Sequence, residues 1–350
     1  MKRERSYISS FKLALEIIIF IAVMAAAYVF IGNRYAEAAS KNNINAWTKS
    51  RYDEFYALED NTVDMVFIGS SHAYCTFDPE NFDSVFGTLS WQLGTPLQNY
   101  DTSYFVLKEV YKTQRPKVVV LELYWDVMDD EFDMQQADSF LEAVDDGVKA
   151  EYIDTVFPVN EKVKYEIEPI RYQQDYFAYE TSEMEKYASE KFGVAKPAQE
   201  TNGVEYYLAK GYTYCDTVIP ESEYDLTNQF KGLDGEDWEP NAAQVEYIMK
   251  FADLCREMGS EVVFVTAPIA NVSMEWIENY DSIHEKIAAI AEEAGVKYLD
   301  FNIVNRDEGL FALENFRDDA HLNDSGVKIA DAYFADWLRN NTDTFGNNNG

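Results

Sequence analysis

Four short apolar runs set the limits on what this chain can fold into. Residues 63–68, 117–124, 261–266 and 296–301 are strand-length stretches rich in Val, Leu, Ile and aromatics; the first stops at Gly69 and the third at Pro268. Between and after them lie helix-period segments. Residues 103–114 are stopped before Pro116. Residues 241–258 have Asn241 as N-cap and Gly259 beyond their end, 282–294 end near Gly295, and 324–339 follow Asn323 as cap. Strands alternating with helices predict the α/β class: a parallel sheet covered on both faces, a three-layer α/β/α sandwich, with ligands beyond the C-terminal ends of the strands. Residues 127–240 break the rhythm and read as a long insertion of helices and loops, rich in Tyr, Glu and Asp. With 47% apolar residues in 350, one large core is attainable.

The N-terminus predicts one membrane helix ahead of this domain. Basic residues come first (MKRER), then residues 12–32 give an apolar span of bilayer length whose one internal acid, Glu16, lies a turn from its start. The positive-inside rule places residues 1–11 in the cytoplasm and everything after residue 32 outside the cell membrane. The alternative is a secreted domain released by signal-peptide cleavage at Ala36-Glu37-Ala38. Residues 33–61 read as an extracytoplasmic tether whose aromatics, Trp47, Tyr52, Phe55 and Tyr56, pack on the domain. The domain itself is expected over 62–340, with a flexible tail at 341–350.

Charge and cysteine usage exclude several functions. Lys plus Arg number 29 against 63 Asp plus Glu, a formal charge of −34, so phosphate backbones would be repelled and a nucleic-acid partner is excluded. Cys75, Cys215 and Cys255 have no zinc-ligand spacing, and the acidic clusters at 129–131 and 145–146 lack the spacing of a calcium loop. No metal or other cofactor is expected.

The polar turn Gly69-Ser70-Ser71-His72 sits at the end of the first strand, where a Gly lets the backbone turn sharply and present a side chain at the sheet edge. A serine there needs a base, and the base needs a carboxylate to fix its tautomer. The chain has three histidines. His72 adjoins Ser71, so the two side chains diverge; His284 falls in a charged helix and reads as a surface histidine; His321 stands before the last helix with Asp318 three residues ahead of it. Asp319 is the second candidate to orient His321. Ser70 is expected to shape the turn, and Cys75 to be a small buried residue rather than a nucleophile. Asn323-Asp324-Ser325 forms a glycosylation sequon beside His321.

These residues carry a resemblance. Gly69-Ser70-Ser71 after a strand looks like the GDS block of the SGNH (GDSL-like) hydrolase superfamily, with Ser in place of Asp, and Asp318-x-x-His321 before the last helix looks like its final D-x-x-H block. The Gly-Ser-Ser variant resembles the extracytoplasmic branch that includes the teichoic-acid D-alanyl transfer protein and polysaccharide O-acetyltransferase partners. The resemblance implies a flavodoxin-like SGNH fold, Ser71 as nucleophile, His321 as base and Asp318 as its orienting carboxylate. In the superfamily a Gly of the second block and an Asn of the third complete the oxyanion hole. Trp91-Gln92-Leu93-Gly94-Thr95-Pro96 resembles the second block, so the N–H groups of Gly94 and Ser71 are the expected donors. Residues 121–126 (LELYWD) should carry the third block and lack its Gly-x-Asn-Asp. The function implied is a membrane-anchored serine acyltransferase or esterase, moving an acetyl-like group to or from a surface polysaccharide beside a membrane-bound O-acyltransferase. The alternative is a catalytically impaired protein of this fold that binds carbohydrate or scaffolds an acyltransferase complex.

Overall fold

The apolar runs form strands, each starting or ending within a few residues of its run. The computed structural model describes residues 2–43, 46–132, 134–141, 143–144, 146–171, 205–220 and 229–346. Strands β1 (Met65–Ile68), β2 (Ser90–Gln92), β3 (Val118–Glu122), β6 (Glu261–Thr266) and β7 (Lys297–Asp300) make one sheet in the order β2-β1-β3-β6-β7. Every pairing in it is parallel. β4 (Glu205–Ala209) and β5 (Tyr212–Cys215) form a separate antiparallel hairpin inside the insertion, where only helices and loops were expected. β2 was not expected as a strand either, because three residues are too few to show a period.

This order fixes where a ligand can bind. From β1 the chain steps outward to β2, then returns across β1 to β3, so the crossovers diverge between β1 and β3. That reversal opens a crevice at the C-terminal ends of the two strands, the switch point of a doubly wound sheet. Register sharpens the placement: Ile68 pairs with Leu121, so Glu122 at the end of β3 stands level with Gly69.

Both faces of the sheet are covered. β1 and β3 are buried at every residue, as expected of strands with helices on each side. One apolar cluster joins Met65, Phe67, Val118, Val120, Val263 and Val265 to Phe334 and Leu338 of the final helix, Asp324–Asn341. Burial of such side chains contributes roughly 1.5–3 kcal/mol each.

The helices start and stop on the expected signals. Asn241 accepts from the Ala243 N–H at the head of helix Ala242–Met258, and Gly259 closes it in the left-handed conformation at φ 80°. Asn323 accepts from the Ser325 and Gly326 N–H groups ahead of the final helix. An additional helix, Phe301–Glu308, follows β7 directly, capped by Asp300.

Two expected boundaries are corrected. The segment read as a flexible tail is packed as far as residue 346. Thr342 is buried, the Asp343 and Thr344 N–H groups donate to the Glu261 carboxylate, and Phe345 stacks on Phe86 at 4.1 Å. The second half of the tether is part of the domain: Tyr52 and Phe55 of helix Ala46–Tyr56 are buried, and Arg51 donates to the Gly211 and Gly94 carbonyls.

The chain divides into two compact units, Met1–Ile44 with Phe157–Val194, and Asn45–Val156 with Ala195–Gly350. The sheet lies in the second. In the first, helix Lys2–Asn43 contains the 23-residue stretch Ser10–Gly32 of mean hydropathy 2.6, long and apolar enough to cross a membrane, with large apolar side chains exposed from Phe11 to Ile31.

Candidate active site

β1 delivers Gly69 and then a six-residue helix, Ser71–Thr76, with Ser70 as its N-cap: the Ser70 Oγ accepts from the His72 N–H at 3.2 Å. Ser71 is the first residue of that helix. Its N–H therefore has no intrahelical acceptor, and its hydroxyl stands at the C-terminal edge of the sheet.

Across the crevice the loop before the final helix brings in the partner 250 residues away. His321 Nε2 lies 2.9 Å from Ser71 Oγ. His321 Nδ1 lies 3.0 and 3.1 Å from the two Asp318 oxygens. Asp318 Oδ1 also accepts from the Ala320 and His321 N–H groups, so the carboxylate and imidazole are locked within one turn. Burial works to raise the Asp318 carboxyl, but His321, the Arg317 guanidinium and the Ala320 N–H outweigh it and hold the group well below the ordinary carboxylate range. Asp318 is thus an anion that fixes the His321 tautomer with Nδ1–H toward it and Nε2 toward the serine.

The remaining candidates resolve differently. Asp319 points away from His321: its oxygens accept from the Gln229 amide and N–H, and its carbonyl accepts from Ala270 N–H and Ser273 Oγ. His72 is buried, stacked on Tyr124 with ring centroids 3.9 Å apart and 4.7 Å from the His321 ring. Burial first, and His321 next, push its pKa well below the usual value, so it lines the site as a neutral ring. Cys75 is buried and its thiol is pushed up to about 12, again by burial, which leaves it unreactive.

Three expectations need correction. Gly94 does lie against the Gly69-Ser70-Ser71 turn, but its N–H donates to Gln92 Oε1 at 2.9 Å and so is engaged rather than open to an oxyanion. What the glycine supplies is closeness: a Cβ there would stand 2.8 Å from the Gly69 carbonyl oxygen and 2.9 Å from that of Ser70. His284 is no plain surface residue, because its Nδ1 lies 2.9 Å from the buried carboxylate of Asp300, which also accepts from the Tyr280 and Tyr298 hydroxyls. Asn323 is buried with its amide donating to the Thr217 and Glu314 carbonyls, so the sequon is sealed in the folded chain.

Sequence reasoning missed Glu122. Its carboxylate is 1% exposed, and Oε2 accepts from both the N–H (3.1 Å) and the Oγ–H (2.9 Å) of Ser70. The available signal was a charge at the end of an otherwise apolar strand, VVVLE.

No protein-family model matches the sequence, and no curated protein matches it. Among solved structures, the chain is similar to a proposed acylhydrolase from Bacteroides fragilis, at 10% identity and TM-score 0.37, over 83% of this chain and 94% of that one. It is also similar to an acetyl xylan esterase from the rumen bacterium Butyrivibrio proteoclasticus, at 11% identity and TM-score 0.32, over 81% of this chain. The match spans 65% of the esterase, just under two-thirds of its length. Neither likeness is close enough to bear on the reaction.

Proposed function

We propose that this chain is a serine acyl-transferring enzyme of the SGNH type, anchored in the cell membrane with its α/β domain outside. The observation that carries the reading is the continuous relay from Ser71 Oγ through His321 to Asp318, at 2.9 and 3.0 Å. His321 Nε2 takes the Ser71 proton as Oγ attacks an acyl ester or thioester carbonyl. The tetrahedral intermediate collapses, and His321 returns the proton to the departing alkoxide or thiolate. The Ser71 acyl ester is then attacked by an acceptor hydroxyl that His321 deprotonates, and Ser71 regains its hydrogen. The Ser71 N–H faces the developing oxyanion.

The acceptor is a hydroxyl of a surface or cell-wall polysaccharide, or water. The apolar stretch Ser10–Gly32 favours transfer, because a domain held at the membrane surface is placed to take acyl groups from a membrane-bound O-acyltransferase. The engaged Gly94 N–H favours a second reading, in which the fold is kept with weak catalysis and serves to bind carbohydrate or scaffold such a complex.

Covalent labelling decides between them. The full-length chain in detergent should react with a serine-directed fluorophosphonate, and Ser71→Ala and His321→Ala should each lower the labelling rate by about 10³-fold or more. Equal labelling of wild type and Ser71→Ala overturns the enzymatic reading.

A further inference from the structure

We propose that Glu122 is a positioning residue for the nucleophile: its buried carboxylate fixes Ser70 and, through Ser70, the orientation of Ser71 toward His321. The inference rests on the serine-enzyme reading above and adds to it a group outside the Ser71–His321–Asp318 relay.

The geometry forms a chain. Ser70 Oγ accepts from the His72 N–H at 3.2 Å, so its own proton is directed elsewhere, and Glu122 Oε2 receives it at 2.9 Å. The same oxygen accepts the Ser70 N–H at 3.1 Å. Both hydrogen-bond donors of the residue preceding the nucleophile are thus held by one carboxylate oxygen on the neighbouring strand. Backbone packing enforces the contact, since a Cβ on Gly69 would stand 2.6 Å from Glu122 Cβ. Meanwhile Glu122 Oε1 is buried without a hydrogen-bond partner among the described residues. Burying an ionised acid is unfavourable unless bonds offset the lost hydration, and both of its bonds go to the nucleophile turn.

That placement makes the turn sensitive to protonation. Burial pushes the Glu122 carboxyl up to about 7, against the lowering effect of the two Ser70 bonds. The titratable groups around it stay neutral. Tyr100, which donates to the Tyr124 carbonyl, and Tyr124 itself have phenols raised well above their usual range, and His72 is held neutral by burial. Ionised, Glu122 accepts two charge-assisted bonds. Protonated, it accepts two weaker ones, so Ser70 is held less firmly.

The test is the pH profile of kcat/KM for 4-nitrophenyl acetate with the full-length chain in detergent, from pH 5 to 9. Wild type should lose activity on acidification along a limb that steepens beyond one proton toward two near pH 7, where protonation of Glu122 adds its own loss of about 10- to 100-fold. Glu122→Gln should show a slope of one and a plateau lowered about 10- to 100-fold, the scale of a misplaced reacting atom. Ser70→Ala removes one bond to the ionised carboxylate, so it should keep the two-proton limb and move it to higher pH. A two-proton limb retained in Glu122→Gln, or an undiminished plateau, overturns the proposal. Should Glu122→Gln fail to fold, as judged by circular dichroism, Ser70→Ala carries the test, and an unmoved acid limb overturns the proposal. Ser71→Ala separates the two ideas. If it hydrolyses like wild type, the serine-enzyme reading falls. If it is inactive while the Glu122→Gln profile matches wild type, only the role of Glu122 falls.

Discussion

Gly69 is the residue on which the site's geometry turns. A methyl group there would meet Glu122 Cβ at 2.6 Å, Glu122 Oε2 at 2.9 Å and Ala73 Cβ at 3.1 Å, so it would push β3 away from helix Ser71–Thr76. Gly69→Ala should therefore destabilise the fold by about 1–3 kcal/mol, the usual cost of overpacking. It should also slow fluorophosphonate labelling at temperatures where the variant remains folded. Denaturant unfolding paired with labelling rates checks both, and wild-type values for each would show that the turn yields to a side chain. At this scale the candidates Ser71, His321 and Asp318 could be picked out because each signal is local: a Gly-Ser turn after a strand, and a carboxylate three residues before a histidine. Glu122 and the engaged Gly94 N–H were not, since each depends on which strand lies beside β1 and at what register.

Among the elements, helix Ala46–Tyr56 is the one whose role the sequence understated. Its Arg51 bridges the β4–β5 hairpin through the Gly211 carbonyl and the β2 exit through the Gly94 carbonyl, and its own carbonyl accepts from Trp91 Nε1. Tyr52 and Phe55 are buried beside it, worth roughly 1.5–3 kcal/mol each. A chain begun at residue 62 should expose this face of the domain and aggregate, whereas one begun at residue 46 should stay monomeric and folded. Size-exclusion chromatography with circular dichroism checks the pair; equal behaviour would make the helix dispensable. Helices Tyr100–Thr113, Ala242–Met258, Tyr280–Glu293 and Asp324–Asn341 were readable from their period and end signals, whereas Asp146–Val156 inside the insertion was not. The three-residue β2 and the β4–β5 hairpin were not, because so few residues carry no period and their partners are set by tertiary contact. The tyrosine-rich insertion falls partly on residues 172–204, outside the described residues.

For the whole molecule, buried carboxyls give stability a definite pH dependence. Burial pushes Glu122 from 4.5 up to about 7 and Asp78 from 3.8 up to about 6, and it raises Asp331, whose Oδ2 accepts from the Asn81 amide, well above its usual range. Between those limits the folded chain binds more protons than the unfolded one, so stability falls as pH rises from about 4.5 to 7. The Glu122 part is about 3 kcal/mol at ~1.36 kcal/mol per pH unit. Asp318 has the opposite sign: its lowered pKa contributes stability that is present above about pH 4 and lost on further acidification. Thermal melts should show the wild-type midpoint falling across pH 4.5–7 and the Glu122→Gln midpoint falling less; parallel curves would mean that Glu122 is already ionised at pH 4.5. Periodicity and hydropathy, written in neighbouring residues, carried the α/β class and the apolar N-terminal stretch, while a family resemblance suggested pairing the Gly69-Ser70-Ser71 turn with Asp318-x-x-His321. Only the tertiary structure decided the strand order, the 2.9 Å approach of His321 to Ser71, and the seat of Glu122 on Ser70. Those depend on contacts between segments up to 250 residues apart, which the packing of the sheet sets and no local pattern encodes.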